Sequence, residues 1–255
     1  MFKKLIVVVI FIAIVAFIFP WAINAQTPPA QPSAAELLRR VDQNEIYTTI
    51  QYESDIIIEN GGRRFVKTMN VWARGNTHSF IEFINPEDRG IRYLNMNGRY
   101  FYFSYDLEES IPMTSSMLKE SMVGSDMSFQ DAVDNAPLAA RYTPALNGSE
   151  IIAGRDCWVL NLTARSRNEG YASRKLWIDK ENGDLMRYEL FGLSGIKLKD
   201  YELVRVEDIE GRRFPVEGVM RDLTRRNSKT TFVMRNVILN RPVADSVFSQ
   251  RNLER

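Results

Sequence analysis

The chain has 255 residues, and its 33 Lys and Arg side chains nearly balance its 32 Asp and Glu side chains, which gives a formal net charge of +1. This balance argues against a nucleic-acid-binding protein, which would carry a basic excess on one face. The single histidine and the single cysteine exclude a histidine metal cluster and an internal disulfide.

The N-terminus is predicted to be a secretory signal peptide. Lys3 and Lys4 precede an apolar run of about 15 residues, and the chain then leads through Pro20 to Ala25. The alternative is an uncleaved membrane anchor, but the run is shorter than the roughly 20 residues that span a bilayer as a helix. We therefore expect residues 1–25 to be a cleaved signal and the protein to be periplasmic.

The remaining chain is expected to contain a spacer and one domain. Residues 26–33 are rich in Pro and polar side chains and are interpreted as a short spacer. Residues 34–255 would fit one β-rich domain or two small ones, and we predict one. Cys157 lies in a strand-like context, so we expect it to be a buried apolar residue and not a reactive thiol.

Hydrophobic periodicity predicts one helix followed by many strands. Ser33 and Glu36 form a capping box with apolar residues at helical spacing behind them, which predicts a helix over 34–45. From Tyr47 the period changes to two, and Gly61-Gly62 offers a tight turn between the first two strands, which continue to about residues 58 and 73. Further strands are predicted at 77–84, 90–96, 99–105, 149–163, 171–179, 184–191, 196–207, 213–224 and 229–239.

The segment between Pro112 and Pro137 departs from the strand pattern. Residues 115–122 and 126–133 are predicted to form two short helices that are broken at Gly124. A long antiparallel succession with one helical interruption favours a curved sheet or open barrel with helices packed into it.

Several predicted strands are apolar on both faces, although a sheet with one wet face shows clean alternation. Residues 80–84 and 99–105 are of this kind. The second face must then be covered by a helix, by another sheet or by a ligand in a hollow. The helical segment carries four of the ten methionines, and flexible methionine suits surfaces that repack around variable apolar partners. Methionines at helical spacing also commonly pack in an ordinary core, so the segment is interpreted either as a movable lid or as part of the core.

If the helical segment is a movable lid, these patterns predict an apolar cavity between the sheet and the lid. On the sheet side the predicted lining is Trp72, Phe83, Tyr93, Phe101 and Phe103. On the lid side it is Met113, Met117, Leu118, Met122, Met127 and Phe129.

Catalytic chemistry has little support in the sequence. His78 lies in a turn-like setting and would need a Ser and an Asp delivered by folding to act as a base. Residues 192–196 fail the GxSxG pattern at its last position. We therefore predict no catalytic residue, no metal ligand and no cofactor, and we expect a protein that is not an enzyme.

A group of basic residues in the C-terminal part of the chain allows two interpretations. It is either a solvated sheet face or a patch for an anionic head group or an acidic partner. The group consists of Arg212, Arg213, Arg221, Arg225, Arg226 and Lys229.

Four blocks of the sequence resemble the LolA-like group of outer-membrane lipoprotein-sorting proteins. The blocks are residues 81–90, 122–131, 176–180 followed by 195–201, and 214–236 followed by 247–253. The second block is similar to the family stretch GSDFSYED, but it has Met127, Phe129 and Gln130 where Phe, Tyr and Glu are usual. The order and spacing of the blocks cover nearly the whole chain after the predicted signal.

The resemblance implies an α+β fold, an incomplete (open) antiparallel β-barrel with helices closing its concave face, as in LolA and LolB. It implies a periplasmic carrier that holds the acyl chains of lipoproteins or lipids in an apolar cavity and moves them between the inner and outer membranes. An inner-membrane transporter is then expected as a further partner. We expect no binding of nucleic acid, and we expect the protein to be a monomer. The alternative is a lipid- or lipoprotein-sensing interaction module similar to RseB, although no second domain is obvious.

Overall fold

Thirteen antiparallel strands form one sheet within the part of the chain that the structure describes. The structure is a computed structural model that describes residues 31–44, 46–104, 107–133 and 136–255. The predicted signal peptide and most of the predicted spacer lie outside the described residues. Residues 32–255 form one compact unit.

The strands are numbered in chain order. They are β1 (Thr49–Asn60), β2 (Arg63–Arg74), β3 (His78–Phe83), β4 (Arg92–Met96), β5 (Arg99–Ser104), β6 (Glu109–Pro112), β7 (Tyr142–Ile152), β8 (Arg155–Ala164), β9 (Ser173–Asp179), β10 (Leu185–Phe191), β11 (Lys197–Ile209), β12 (Arg212–Asp222) and β13 (Ser228–Leu239). The helices are α1 (Ala34–Asn44), α2 (Phe129–Val133), α3 (Leu138–Arg141) and α4 (Gln250–Leu253). The 3₁₀ turns are Pro86–Asp88, Met117–Lys119, Met122–Gly124 and Asp245–Phe248. Among the described helices, none has both the length and the apolar composition needed to span a bilayer.

The sheet order explains why a helical segment interrupts the strands. β1 and β13 pair at the centre, β2 to β6 extend the sheet on one side, and β12 to β7 extend it on the other. β6 and β7 are therefore the two edges, and within the described residues they do not pair with each other. The barrel is thus open, as predicted. Residues 113–133 and 136–141 connect the two edges, and we call them the crossover segment.

Several predicted elements are confirmed by the structure. α1 covers the predicted helix apart from its last residue, and the backbone N–H of Glu36 donates to Ser33 Oγ at 3.2 Å, as the capping box requires. Gly61-Gly62 joins β1 to β2. The strands predicted at 171–179 and 184–191 are present as β9 and β10, which pair with each other.

Other predicted elements are wrong in detail. Residues 149–163 are not one strand, because Ala153 and Gly154 turn the chain with φ of +48° and +79° and make β7 and β8 a hairpin. The predicted helix over 115–122 contains only the 3₁₀ turn Met117–Lys119. A second 3₁₀ turn, Met122–Gly124, follows it, and there Val123 has a left-handed backbone with φ of +48°. β6 escapes prediction because four residues are too few to show a period.

The crossover segment and α1 cover one face of the sheet, which we call the inner face. Side chains alternate between the faces of each strand. On β1 to β3, Ile56, Val71 and Phe83 pack with Met122 of the crossover segment in one core cluster. α1 contributes Leu37, Leu38 and Val41 to a second cluster with Leu160, Leu162, Leu176 and Ile178.

The C-terminal residues cover the opposite, outer face of β3 to β5. Phe248 and Leu253 form a cluster there with Phe80, Leu94 and Phe101. This cover explains why these strands are apolar on both sides, since each face packs against another part of the chain.

Cys157 is buried, as expected. It lies on the outer face beside Val159 and Trp177. Burial raises the pKa of its thiol, and the nearby Asp179 carboxylate acts in the same direction. The thiolate is therefore suppressed, which fits a packing residue.

We predict that Phe248→Ala lowers the free energy of unfolding by about 3–5 kcal/mol, because it removes the aromatic centre of the outer-face cover. Urea denaturation measures this change. The exposed neighbour Ser246 is the control, since Ser246→Ala should change stability by less than about 0.5 kcal/mol. An equal, small effect of both substitutions would show that the C-terminal residues are not part of the core.

Candidate functional site

A cavity of about 370 Å³ lies between the inner face, α1 and the crossover segment. Most of its wall is apolar, and five of the lining residues are methionines. The lining residues that are themselves exposed are Asn44, Arg213 and Pro215. They lie near the end of α1 and the beginning of β12, so the cavity opens at this end of the strands. The lining methionines are Met69, Met122, Met127, Met220 and Met234.

The predicted lid residues lie at different depths in the crossover segment. Met122 and Met127 line the cavity. Met113 and Leu118 border a separate small pocket of about 10 Å³ against β3 to β5. Met117 begins a 3₁₀ turn and is half-buried.

Three other predicted residues support the wall of the cavity from behind. Phe83, Tyr93 and Phe129 belong to the same core cluster as Met122. The ring centroids of Tyr93 and Phe129 lie 4.8 Å apart, so the crossover segment and β4 are in direct contact.

The prediction is corrected for Trp72, Phe101 and Phe103, which the structure places in the outer-face cluster. Their chain neighbours Val71 and Tyr100 pack on the inner face. Alternation along each strand therefore directs the three aromatic side chains away from the cavity.

The second half of the sheet supplies much of the lining, and these residues are not predicted from the sequence. Tyr188 and Tyr201 line the cavity as a stacked pair with ring centroids 4.7 Å apart. Gly218 leaves room for this stack, because a Cβ there would lie 2.2 Å from Tyr201 Oη. A glycine inside the predicted strand 213–224 is the sequence signal of this close approach.

The crossover segment is hydrogen-bonded to the sheet through the buried side chain of Asp126. Its carboxylate accepts from Thr230 Oγ1 at 2.6 Å, from Ser228 Oγ at 3.0 Å and from the backbone N–H of Asp222 at 3.1 Å. Asp126 thus joins the crossover segment to the end of β12 and the beginning of β13 through hydrogen bonds. This carboxylate belongs to the block that resembles the family stretch.

Asp131 is the second attachment of the crossover segment. Its carboxylate accepts from Lys199 Nζ at 2.6 Å, from Tyr171 Oη at 2.8 Å and from the backbone N–H of Ser128 at 2.9 Å. Burial acts to raise the pKa of Asp131, but the charge of Lys199 and the hydrogen bonds outweigh it, and the pKa lies below its usual value. Burial also raises the pKa of Tyr171, so its hydroxyl stays a donor.

The six residues of the basic group are divided between the two ends of β12. Arg212 and Arg213 lie at its beginning, whereas Arg221, Arg225, Arg226 and Lys229 lie at or after its end. Arg212 donates to a carbonyl oxygen near the end of α1 at 2.9 Å, and Arg213 pairs with the β9–β10 turn. At the other end, Arg225 donates to a carbonyl oxygen of the crossover segment at 2.9 Å. Lys229 pairs with a carboxylate of β1 at 2.9 Å. These four side chains therefore stabilise the fold.

His78 lies at the beginning of β3, next to the outer-face cluster. Its Nδ1 is 2.9 Å from Thr77 Oγ1, and its ring centroid is 5.7 Å from that of Phe248. Within the described residues, His, Cys, Asp and Glu side chains form no group of three that could hold a metal ion.

A family model with the description "Uncharacterized protein" matches residues 75–255. The chain belongs to this family. No curated protein matches its sequence.

Solved structures of three similar proteins share the fold of this family member. A DUF1329 family protein from Desulfovibrio piger has a TM-score of 0.79 at 20% identity, over 86% of this chain and 97% of that one. A LolA superfamily protein from Nitrosomonas europaea has a TM-score of 0.74 at 20% identity, over 87% and 100%. A domain described as an outer membrane lipoprotein-sorting protein, from Vibrio parahaemolyticus, has a TM-score of 0.77 at 15% identity, over 87% and 98%. The predicted LolA-like fold is confirmed.

We predict that Asp131→Asn lowers the free energy of unfolding at pH 7 by about 3 kcal/mol, because Lys199 would remain buried without its counter-charge. Urea denaturation tests this. Asp156 pairs with Lys180 at 2.9 Å on the surface, and Asp156→Asn should cost less than about 1 kcal/mol. Similar losses in both variants would contradict a special role for Asp131.

The same ion pair predicts a pH dependence of stability. The pKa of Asp131 is lower in the folded protein than its ordinary value of 3.8. Its contribution is therefore complete above the ordinary value and is lost as the pH falls through the folded pKa. We expect denaturation curves below pH 4 to show a smaller loss of stability in Asp131→Asn than in the wild type. Parallel loss in both proteins would assign the acid sensitivity to other groups.

Proposed function

We propose that the protein is a periplasmic carrier that binds acyl chains of lipoproteins or lipids in the cavity and moves them between the inner and outer membranes. The observation that carries the proposal is the apolar cavity between the inner face, α1 and the crossover segment. The LolA-like fold supports it. In this proposal residues 1–25 direct export, and residues 34–255 are the carrier domain.

Acyl chains suit this cavity because their binding needs no directional contact. Burial of each CH₂ group is worth about 0.8 kcal/mol, so even a partly enclosed chain gains several kcal/mol. The methionine side chains of the wall adapt to chains of different shape. A carrier also has to release its cargo, and a wall of flexible side chains binds without fixing a single geometry.

The predicted site residues take separate roles in this proposal. Met122 and Met127 contact the acyl chain directly. Phe83, Tyr93 and Phe129 support them, and movement of the crossover segment admits and releases the cargo. We assign no catalytic step, and the carboxylates of the wall serve to hold the structure through ion pairs.

A sensor similar to RseB is the second candidate, and the edge strand β7 favours it. β7 has 11 residues and, among the described strands, pairs only with β8. An extended peptide can add to such an edge through backbone hydrogen bonds. Bound lipid would then change the affinity for a protein partner instead of being delivered.

The direct experiment is to purify the full chain from periplasm and to analyse the extracted lipids by mass spectrometry. We expect a reproducible acyl-containing species and uptake of a fluorescent fatty acid by the emptied protein. Consistently empty protein that takes up no probe would contradict the carrier. A pull-down from periplasm separates the two candidates, because a carrier should recover a transporter and a sensor should recover a regulator.

We predict that Leu203→Trp weakens binding of a fluorescent fatty acid about tenfold, because Leu203 lines the cavity and the larger ring would occupy it. Val204 is the matched control, since it follows Leu203 in β11 and is 55% exposed. Val204→Trp should leave the affinity within about twofold of the wild type. Equal affinities of the two variants would show that the ligand binds elsewhere.

A further inference from the structure

The charges in the cavity wall do not balance. The charged lining residues are Asp131, Arg174, Asp184, Arg213 and Glu217. Each carboxylate has a cationic partner, and the pairs are Asp131–Lys199 at 2.6 Å, Asp184–Arg213 at 2.5 Å and Glu217–Arg205 at 3.2 Å. Among the described residues, no carboxylate forms an ion pair with Arg174. One positive charge is therefore left over in a largely apolar space.

Two aromatic rings hold the guanidinium of Arg174 in place. Its Cζ lies 4.9 Å from the ring centroid of Tyr142 and 5.5 Å from that of Tyr171. Its Nε is buried and has no hydrogen-bond partner within the described part of the chain. A guanidinium stacked on aromatic faces keeps its N–H groups in one plane, where they can bind a planar or tetrahedral anion.

Arg174 lies far from the opening of the cavity. On β9 it is opposite Leu190, whereas Ile178 of the same strand is opposite Leu185, beside the turn at the open end. Four residues of strand separate the two positions, which corresponds to about 13 Å. An anion on Arg174 would therefore sit at the inner end, with room for an apolar chain toward the opening.

We propose that Arg174 binds the anionic head group of a single-chain amphiphile, an inference that rests on the proposed acyl-chain carrier. The head group is a carboxylate or a phosphate, because a guanidinium binds both through two parallel N–H···O bonds. The chain extends from Arg174 along the inner face toward Arg213. The cavity thus prefers a fatty acid or an alkyl phosphate to a neutral lipid with the same chain.

Arg187 is a second arginine of the same sheet, and its contacts give it a structural role. Its guanidinium also stacks on a ring, 5.1 Å from the centroid of Trp177, and its Nε also lacks a partner among the described residues. However, it donates to Glu189 at 2.8 Å, and its partner on β9 is Trp177, which lies in an outer-face cluster. Arg187 is therefore a matched control for Arg174.

The test compares three ligands with the same alkyl chain, namely laurate, dodecyl phosphate and dodecanol. Each displaces the neutral probe 1-N-phenylnaphthylamine from the delipidated full chain. We expect at least one anion to bind about tenfold more tightly than dodecanol, which is the effect of a charge-assisted hydrogen-bonded pair. Whichever anion binds more tightly identifies the head group as a carboxylate or a phosphate.

Substitutions of Arg174 test whether its side chain causes the preference for an anion. Arg174→Met should abolish the preference for the anion and leave dodecanol binding within about twofold of the wild type. Arg174→Lys should restore part of it, because the charge returns without the planar donor group. Arg187→Met should behave as the wild type.

The outcomes separate this inference from the carrier itself. If the wild type binds dodecanol as tightly as both anions, or if Arg174→Met keeps the preference, the inference is wrong and the carrier stands. If the probe and all three ligands fail to bind, the proposed carrier function is wrong, and the inference about Arg174 is then wrong as well. If Arg174→Met fails to fold, the ligand comparison with the wild type and with Arg174→Lys still tests whether Arg174 binds the head group.

Discussion

The path of the crossover segment across the inner face is the constraint on which the rest of the structure depends. The sheet order places β6 and β7 at opposite edges, so the chain between them has to cross the sheet. The hydrogen bonds of Asp126 and Asp131 fix the crossing over β11 to β13. The end of the sheet near α1 is thereby left partly uncovered, and the cavity lies there.

This arrangement balances stability against space for a guest. The crossover segment fills part of the inner face with Met122, which is fully buried, and a filled core is the more stable state for an empty protein. The remaining space is lined in part by flexible methionines and by half-buried side chains such as Tyr188 and Leu203, whose displacement costs less than that of a rigid core. In the proposed carrier, an acyl chain would therefore exchange with the protein's own side chains at a small net change in free energy.

The sequence predicted the fold better than the site, for physical reasons. Strand alternation and the capping box of α1 are local patterns, and they favoured a curved sheet or open barrel with helices. The resemblance of four sequence blocks to the LolA-like group then implied the open barrel. Phe101 and Phe103 were misplaced because residues 99–105 are apolar on both faces and do not reveal which face is inner. Trp72 was misplaced because it lies between Val71 and Ala73, which line the cavity, and therefore points to the opposite face. The lack of a carboxylate partner for Arg174 among the described residues could not be predicted either, since the pairs Asp131–Lys199 and Asp184–Arg213 join elements that are distant in sequence.

The most direct test of an inner space open to a guest is NMR of the protein with ¹³C-labelled methionine methyl groups, titrated with laurate. The methyl signals of the five methionines that line the cavity should shift with a common affinity, namely those of Met69, Met122, Met127, Met220 and Met234. Met96 and Met186 pack in the outer-face clusters, and their signals should not move. Shifts confined to Met96 and Met186, or no shift at any concentration, would contradict a binding cavity on the inner face.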